Sequence, residues 1–292
     1  MDQASKAVTP NRKQGSVKEV MGQNTQALEP HEVINLSAYP IIDTSSSAFA
    51  ALVKELRDTL DAQQYVVLPE FILPAARQQA VTQIQDMLHS AHHNTTLRNC
   101  YLEHQKDPSL PDDHPKNIMN AGSNRILAAD LLPASSPLKT IYYWENMMQL
   151  VSGIVEDRVC AFEDPLGPVN ALCFKRGDHS SWHFDSNNAF TMTLMLQASE
   201  SGGKFEMIPN LRTDVDQRYK QVSSALLGNL NDAVAVGRKE GALCIFRGCN
   251  SLHRVTPVES DRLRIMGTFF YKNKPGVVGD PIVNETIYGR RV

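Results

Sequence analysis

Three side chains of the types that bind metals stand at spacings that can bring them together. His183 and Asp185 are two positions apart within Trp182–Ser186, and His253 lies far downstream. If Trp182–Ser186 is extended, the side chains of His183 and Asp185 leave the same face of one strand. A histidine from a distant strand then completes a group of two imidazoles and one carboxylate. Such a group leaves coordination positions open and suits a non-haem Fe(II) centre.

The segments around these residues favour β-strands. Phe190–Gln197 is an apolar run rich in strand formers, Ser201–Gly203 is typical of a turn, and Lys204–Ile208 is a candidate return strand. Gly241–Phe246 is a further apolar run shortly before His253. Short strands with turns between them and no alternating helices predict an antiparallel double sheet.

Two arginines, Arg262 and Arg264, follow His253 just ahead of Ile265–Tyr271. A dicarboxylate such as 2-oxoglutarate needs a cationic partner at its far end, and a guanidinium pairs with a carboxylate in a bidentate manner. If the segment is extended, both arginines leave the same face of the strand, so the spacing does not choose between them.

A wider set of residues resembles the iron- and 2-oxoglutarate-dependent oxygenases. Within them it is most similar to the branch whose known members hydroxylate or halogenate free amino acids. The resemblance covers about Pro165–Val278 and rests on His183-x-Asp185, His253 and a following arginine. It also includes Asn170, Gly177-Asp178, Trp182, Phe184, Phe190, Gln197, Gly202-Gly203, Phe205-Glu206, Pro209, Arg212, Gly241, Phe246-Arg247-Gly248, Arg254–Val258 and Tyr271. The strand pattern matches the fold that the resemblance implies, a double-stranded β-helix (jelly roll, cupin-like).

The resemblance implies that His183, Asp185 and His253 hold Fe(II), with no catalytic side chain beyond these ligands. 2-Oxoglutarate would chelate the metal and pair with Arg264 or Arg262, and O2 would be the oxidant. The implied reaction is hydroxylation of an unactivated C–H bond of a free amino acid or amine, with release of succinate and CO2. Desaturation or oxidative cyclisation by the same oxidant stays an alternative.

Halogenating members of this branch have a small residue in place of the carboxylate ligand, and chloride takes the vacated position. Because Asp185 is present, we expect oxygen transfer, or oxidation without transfer, and no halogenation. A different class of protein, a metal-binding jelly-roll sensor without turnover, would keep the three ligands but would need no arginine for 2-oxoglutarate. The arginines after His253 therefore favour an enzyme.

A free amino acid carries an ammonium and a carboxylate, so its pocket needs an acid and a base. The candidates are Arg125 for the carboxylate, Glu163 or Asp164 for the ammonium, and Asn187 and Asn188 for either group. For each of them, an ordinary surface charge or a turn residue is the competing interpretation.

Composition describes an ordinary globular chain of 292 residues, with 42% hydrophobic and 21% charged residues. A net charge of −3 and no basic stripe argue against a nucleic-acid partner. The absence of a long apolar run and of a signal peptide at Met1 predicts no membrane association. The five cysteines form no Cys-x-x-Cys pair and indicate reduced thiols in a cytoplasm. The predicted partner is a small molecule, and the oligomeric state stays open.

The chain is expected to be mainly β with flanking helices. Residues 1–30 are polar and predict a flexible tail. Residues 31–160 form a helical part that packs on the core, and 161–292 the jelly-roll catalytic core, with 31–292 one domain.

Helical spacing of apolar residues predicts helices at Ser45–Gln64, Ala75–His89 and Leu138–Val155, and a shorter one within Asp214–Asn231. Residues 94–124 contain several prolines and histidines and predict a long loop. This loop is interpreted either as a lid over the metal or as a surface excursion.

Overall fold

Two antiparallel sheets form the centre of the structure, a computed structural model that describes residues 26–186 and 190–292. The larger sheet has seven strands, the smaller sheet has four, and two further short strands form a pair. In the strand numbering of the next sentence, the larger sheet has the order β1-β10-β7-β12-β5-β3-β2 and the smaller sheet has the order β6-β11-β8-β9, while β13 pairs with β4. The strands are β1 Tyr65–Leu68, β2 His92–Arg98, β3 Asn120–Leu127, β4 Cys160–Ala161, β5 Val169–Phe174, β6 Ser180–His183, β7 Thr191–Gln197, β8 Phe205–Ile208, β9 Val234–Ala235, β10 Leu243–Phe246, β11 Leu252–Val255, β12 Arg264–Phe269 and β13 Tyr271–Lys272. This is a double-stranded β-helix, or jelly roll, and the predicted fold class is confirmed.

Helices flank both sheets. They are α1 Pro30–Val33, α2 Ser47–Gln63, α3 Pro74–Asp86, α4 Pro137–Tyr143, α5 Glu145–Val155, α6 Tyr219–Leu226 and α7 Pro281–Tyr288. Apolar residues of α2 to α5 share one core with the larger sheet, whereas α6 packs on the smaller sheet. Among the described residues, no helix combines the length and apolar character needed to cross a bilayer.

The two faces of the larger sheet have different surroundings because side chains alternate along each strand. On β7, Met192 and Leu194 belong to the core shared with the helices. Thr191 and Thr193 therefore leave the opposite face, toward the smaller sheet. The space between the sheets is thus lined in part by polar side chains, in contrast to the apolar layer under the helices.

Two predicted helices are close to the observed ones, and a third is divided. Ser46 accepts a hydrogen bond from the Phe49 N–H at 3.1 Å, and α2 begins at Ser47, near the predicted start at Ser45. The predicted helix Leu138–Val155 is broken into α4 and α5 at Trp144, whose backbone is extended (φ −71°, ψ 122°).

The predicted loop at residues 94–124 is wrong at both of its ends. Strands β2 and β3 form an antiparallel hairpin, and β3 pairs with β5 in the larger sheet. Half-buried and exposed residues alternate along β2, but they are mostly polar, so the sequence carries no apolar alternation there. The larger sheet consequently includes strands from before residue 160, and the boundary predicted there does not divide it. Of the predicted tail at 1–30, residues 1–25 lie outside the described part.

A buried carboxylate, Asp164, joins the turn before β5 to the C-terminal helix α7. Its Oδ1 accepts the N–H groups of Leu166 and Gly167 at 2.8 and 2.7 Å. Its Oδ2 accepts from the Gly279 N–H and the Asn284 amide, both at 3.0 Å. Burial alone would raise the pKa of Asp164, but these four hydrogen bonds outweigh it and lower the pKa below the usual value. Asp164 is therefore a structural residue rather than a substrate contact.

Asp164→Ala should lower the free energy of unfolding by about 3 kcal/mol, because it leaves buried N–H donors without an acceptor. Urea denaturation at neutral pH measures the change, and Glu163→Ala at the exposed neighbour should change stability by less than about 1 kcal/mol. Since the folded-state pKa is lowered, the contribution is complete above the ordinary carboxyl pKa of about 3.9 and disappears as the pH falls through the lowered value. Equal stabilities of the two variants at neutral pH would contradict this role.

Candidate metal centre

The register between two strands of the smaller sheet brings the three predicted residues together. His183 ends β6 and lies directly opposite His253 of β11. Asp185 follows two residues after His183, and its Oδ1 is 3.6 Å from Nε2 of His183 and 3.5 Å from Nε2 of His253. One ligand atom from each side chain lies within 4.8 Å of the others. The three residues are thus placed so that they can hold one metal ion.

Backbone groups orient both imidazoles. Nδ1 of His183 lies 2.7 Å from the Ser181 carbonyl, and Nδ1 of His253 lies 2.9 Å from the Ser251 carbonyl. These contacts are donated by protonated Nδ1 atoms, which leaves each Nε2 free to accept a metal ion. In each case the carbonyl belongs to the residue two positions before the histidine, so the strand itself holds the ring.

Asp185 is fixed from two directions. Its N–H donates to the Gly248 carbonyl at 3.0 Å, and the Thr191 hydroxyl donates to its Oδ2. Oδ1 is left facing the two imidazoles. Hydrogen bonds of this kind orient a metal ligand and hold it in the conformation that binding needs.

The charge states also suit a divalent cation. Burial lowers the pKa of His183 to about 3, and nearby His253 and Arg98 add to this, whereas Asp185 opposes it. For Asp185, burial alone would raise the pKa, but the two imidazoles and the hydroxyl of Thr191 outweigh it and lower the pKa. A neutral imidazole and an ionised carboxylate are the forms that bind metal ions. Two imidazoles and one carboxylate with open positions fit non-haem Fe(II).

Only one of the two candidate arginines faces the interior. Arg264 is 1% exposed, and its Nε donates to the Gly203 carbonyl at 3.0 Å. Its buried Nη1 has no hydrogen-bond partner in residues 26–186 and 190–292. Arg262 instead forms an ion pair with Glu240 at 2.8 Å, with 39% of its side chain exposed. The expectation that both share one face was wrong, because β12 begins at Arg264 and strand alternation does not extend back to Arg262.

Of the candidate substrate residues that the structure describes, none lies at this site. Arg125 forms an ion pair with Asp178 and lies opposite Cys173, whose side chain belongs to the core under the helices. Glu163 is exposed and accepts from the Gly276 N–H at 2.9 Å. Asp164 binds α7, as described above. Asn187 and Asn188 lie outside the described residues.

Arg98 is a further cation near the site that was not among the residues predicted from the sequence. It pairs with Asn120 in the β2–β3 hairpin and shares a face with Ile126, which lies opposite Leu172 on the inner side of β5. Its charge acts on both His183 and Asp185, and within the described part of the chain its buried Nε has no hydrogen-bond partner. No sequence signal could have identified it, because its segment resembled a loop.

A second missed arginine, Arg238, lies between β9 and β10. Its Nη1 donates to the Thr193 hydroxyl at 2.8 Å, and its guanidinium stacks on Phe205 with 4.1 Å from Cζ to the ring centroid. Nε and Nη2 are buried, and no described residue forms a hydrogen bond with either of them. In the sequence Arg238 stands in a polar stretch next to Lys239, which is typical of a surface loop.

The family model described as "HalD: Halogenase D" matches residues 49–288. No curated protein matches the chain.

Several solved structures have a similar fold at low identity. A prolyl hydroxylase from Trichoplax adhaerens, in complex with a hypoxia inducible factor peptide fragment, is 13% identical, with TM-score 0.51 and coverage of 77% of this chain and 90% of that chain. The epimerase SnoN, in complex with Fe3+, alpha ketoglutarate and nogalamycin RO, is 14% identical, with TM-score 0.53 and coverage of 80% and 93%. HygX from Streptomyces hygroscopicus, with nickel, 2-oxoglutarate and hygromycin B bound, is 12% identical, with TM-score 0.50 and coverage of 77% and 88%. At these identities the likeness shows the fold alone.

A glycine next to the carboxylate provides a test of the metal site. A Cβ added at Gly248 would lie 2.0 Å from Oδ2 of Asp185, so Gly248→Ala must displace that side chain. We expect the affinity for Mn(II), an air-stable substitute for Fe(II), to fall by about 10- to 100-fold, the usual effect of disturbing the support of a metal ligand. Calorimetric titration measures it. Gly237→Ala is the matched control, because a Cβ there has no neighbour within 4 Å; equal affinities of the two variants would exclude Asp185 as a ligand.

Proposed function

The chain belongs to the Halogenase D family, and from this premise we propose that it is an Fe(II)- and 2-oxoglutarate-dependent oxygenase. Its reaction is the hydroxylation of an unactivated C–H bond in a small substrate, a free amino acid or amine. When bound, Fe(II) with 2-oxoglutarate and O2 supplies an oxidant that removes hydrogen from carbon, with release of succinate and CO2. The protein's own residues bind, orient and shield the reactants.

The first task, holding the metal, falls to His183, Asp185 and His253. Their ligand atoms converge, the imidazoles are oriented by backbone carbonyls, and the carboxylate is fixed by Thr191. The ring centroid of Phe246 lies 5.0 Å from that of His253, which gives this imidazole an apolar neighbour. An apolar wall keeps water away from the reaction and strengthens electrostatic contacts in the site.

The second task, holding the far carboxylate of 2-oxoglutarate, falls to Arg264. A buried guanidinium with an unused donor needs an anionic partner, and none of the described residues bonds to Nη1 of Arg264. A sensor that only binds metal has no use for such a group, so this observation favours turnover. Arg262 keeps its ion pair with Glu240 on the surface.

The proposal of oxygen transfer in place of halogenation rests on one observation, the carboxylate of Asp185 beside the two imidazoles. Its Oδ1 lies within 3.6 Å of both imidazole nitrogens and so occupies the position of the third protein ligand. A halide would have to displace a held carboxylate or share space with it. The name of the family therefore does not imply halogenation by this chain.

A cation close to the metal ligands is suited to bind an anionic group of the substrate. Arg98 is the cation that acts on both His183 and Asp185, and its Nε is free to donate. We assign the carboxylate of the amino-acid substrate to Arg98 in place of Arg125. Desaturation or oxidative cyclisation would use the same residues, and the product distinguishes them from hydroxylation.

Incubation with Fe(II), 2-oxoglutarate and a pool of free amino acids should give substrate-stimulated succinate and a product with one added oxygen. No chlorinated product should form at high chloride, because Asp185 fills the position that a halide needs. Asp185→Gly should reduce this activity by more than about 100-fold. Removing only a hydrogen-bond partner of a metal ligand already lowers metal affinity or activity by about 10- to 100-fold. Succinate assay and mass spectrometry measure both outcomes.

Asp261→Gly, at an exposed carboxylate that pairs with Arg176, is the matched control and should keep full activity. A chlorinated product from the unmodified protein would exclude Asp185 as a ligand. The absence of substrate-stimulated succinate under all conditions would instead favour the metal-binding sensor.

Arg98→Gln should raise the KM for the amino-acid substrate at least about tenfold, because it removes one partner of a charge pair close to the metal. The KM for 2-oxoglutarate should stay within about twofold. Arg125→Gln is the comparison and should leave both constants unchanged, since Arg125 pairs with Asp178 on the helix side. Steady-state kinetics with each reactant varied in turn measures the two KM values separately. A larger effect of Arg125→Gln than of Arg98→Gln would assign the substrate carboxylate to Arg125.

A further inference from the structure

The buried Arg264 and the half-buried Arg238 line one cavity between the sheets. The cavity has a volume of about 300 Å³, and Met195, Gly203 and Phe205 contribute to its wall. Arg238 reaches it from the segment before β10, whereas Arg264 reaches it from the start of β12. Elements that are distant in sequence therefore place two guanidinium groups at the same position.

The two guanidinium groups are close to each other. Nη1 of Arg238 lies 3.8 Å from Sδ of Met266, and Nη2 of Arg264 lies 3.9 Å from the same sulfur. Three of their donor atoms, Nε and Nη2 of Arg238 and Nη1 of Arg264, are buried and have no hydrogen-bond partner among the described residues. Buried donors in native proteins nearly always have a hydrogen-bond acceptor. Three donors without an acceptor at one place therefore indicate a binding site for a ligand that accepts hydrogen bonds.

No protein acid neutralises this pair within the described part of the chain. Neither aspartate nor glutamate is among the residues that line the cavity. Burial lowers the pKa of Arg264 to about 9, and the charge of Arg238 adds to the effect. Two like charges held together out of water are costly unless an anion joins them.

The cavity lies beside the metal site. Phe205 contacts both, with its ring centroid 5.7 Å from that of His253 and 4.1 Å from Cζ of Arg238. Along β7, Thr191 donates to Asp185 and Thr193 accepts from Arg238. These threonines are two residues apart on one strand face, a separation of about 7 Å, comparable to the length of a five-carbon diacid.

We propose that Arg238 and Arg264 together bind the distal carboxylate of 2-oxoglutarate, so that the cosubstrate pocket is a two-arginine anion site. This inference rests on the proposed function, in which Arg264 alone had that role. Nη1 of Arg264 and the free Nε and Nη2 of Arg238 are the donors, and together they can satisfy both oxygens of one carboxylate. Arg238 is then a ligand-binding residue that discriminates diacids from monoacids.

The competing explanation is structural. Arg238 stacks on Phe205 and donates to Thr193, and these contacts could by themselves account for its presence. The two explanations differ in what they predict for a ligand that lacks the distal carboxylate. A structural residue affects both ligands equally, whereas a binding residue affects only the diacid.

The test compares 2-oxoglutarate with 2-oxopentanoate, which keeps the chelating keto acid and has a methyl group in place of the distal carboxylate. The full-length protein is loaded with Mn(II), and dissociation constants are measured by calorimetry without turnover. The unmodified protein should prefer 2-oxoglutarate by at least about 100-fold. Arg238→Gln should reduce this preference at least about tenfold, through weaker binding of 2-oxoglutarate alone.

Arg264→Gln and Arg262→Gln accompany this variant. The first should also reduce the preference, and the second should leave it within about twofold, because Arg262 pairs with Glu240 on the surface. If Arg238→Gln does not fold, Arg238→Lys keeps a charge but not the bidentate fork, and should reduce the preference about threefold or more.

The outcomes separate this inference from the proposed function. An unmodified protein that binds both ligands equally would overturn the use of 2-oxoglutarate and, with it, the two-arginine site. A protein that prefers 2-oxoglutarate and keeps its full preference in the Arg238 variant would overturn the two-arginine site alone. Equal weakening of both ligands by Arg238→Gln would assign Arg238 to structure.

Discussion

The pairing of β6 with β11 is the constraint on which the site depends. It places His183 opposite His253, and the two ring centroids lie 4.3 Å apart. Because side chains alternate along a strand, a shift of the register by one residue would turn one imidazole to the outer face of the sheet. The apolar cover of that outer face resists such a shift: Trp182 and Leu252 pack there with residues of α6. The packing of an outer helix therefore fixes the geometry of an inner site.

The interior between the sheets combines a dry environment with polar groups that the protein leaves without partners. Apolar residues such as Phe205 and Phe246 exclude water beside His253, yet Arg264 and Arg238 keep buried donors unused. In most cores such donors reduce stability and are rare. Here the larger sheet and its helices form a separate apolar core, which allows the space between the sheets to be organised for ligands instead of for packing.

The sequence was informative where a local period determines the geometry. The period of two suggested a common site for His183 and Asp185, and their side chains do meet, although Asp185 lies just past the end of β6. The antiparallel double sheet followed from short strands with turns. The hairpin β2–β3 was missed because its faces carry mostly polar residues, so no apolar alternation marks it. Arg264 could not be chosen over Arg262 because the strand start lies between them, and Arg238 depends on tertiary contacts with Thr193 and Phe205 that no local pattern records.

The surroundings of Asp185 suit a carboxylate, and under the proposed function they restrict the chemistry of this family member. The backbone N–H of Asp185 bonds to Gly248, its Oδ2 bonds to Thr191, and position 248 has no Cβ that would occupy the space of the carboxylate. The space, the donor and the backbone contact are therefore all complementary to a carboxylate. If a small residue replaced Asp185, the Thr191 hydroxyl would lose its acceptor, and an anion entering the space would meet that donor. The same pocket could then admit a halide. In this chain the carboxylate already occupies it, so membership of a family described as halogenases is compatible with oxygen transfer as the reaction.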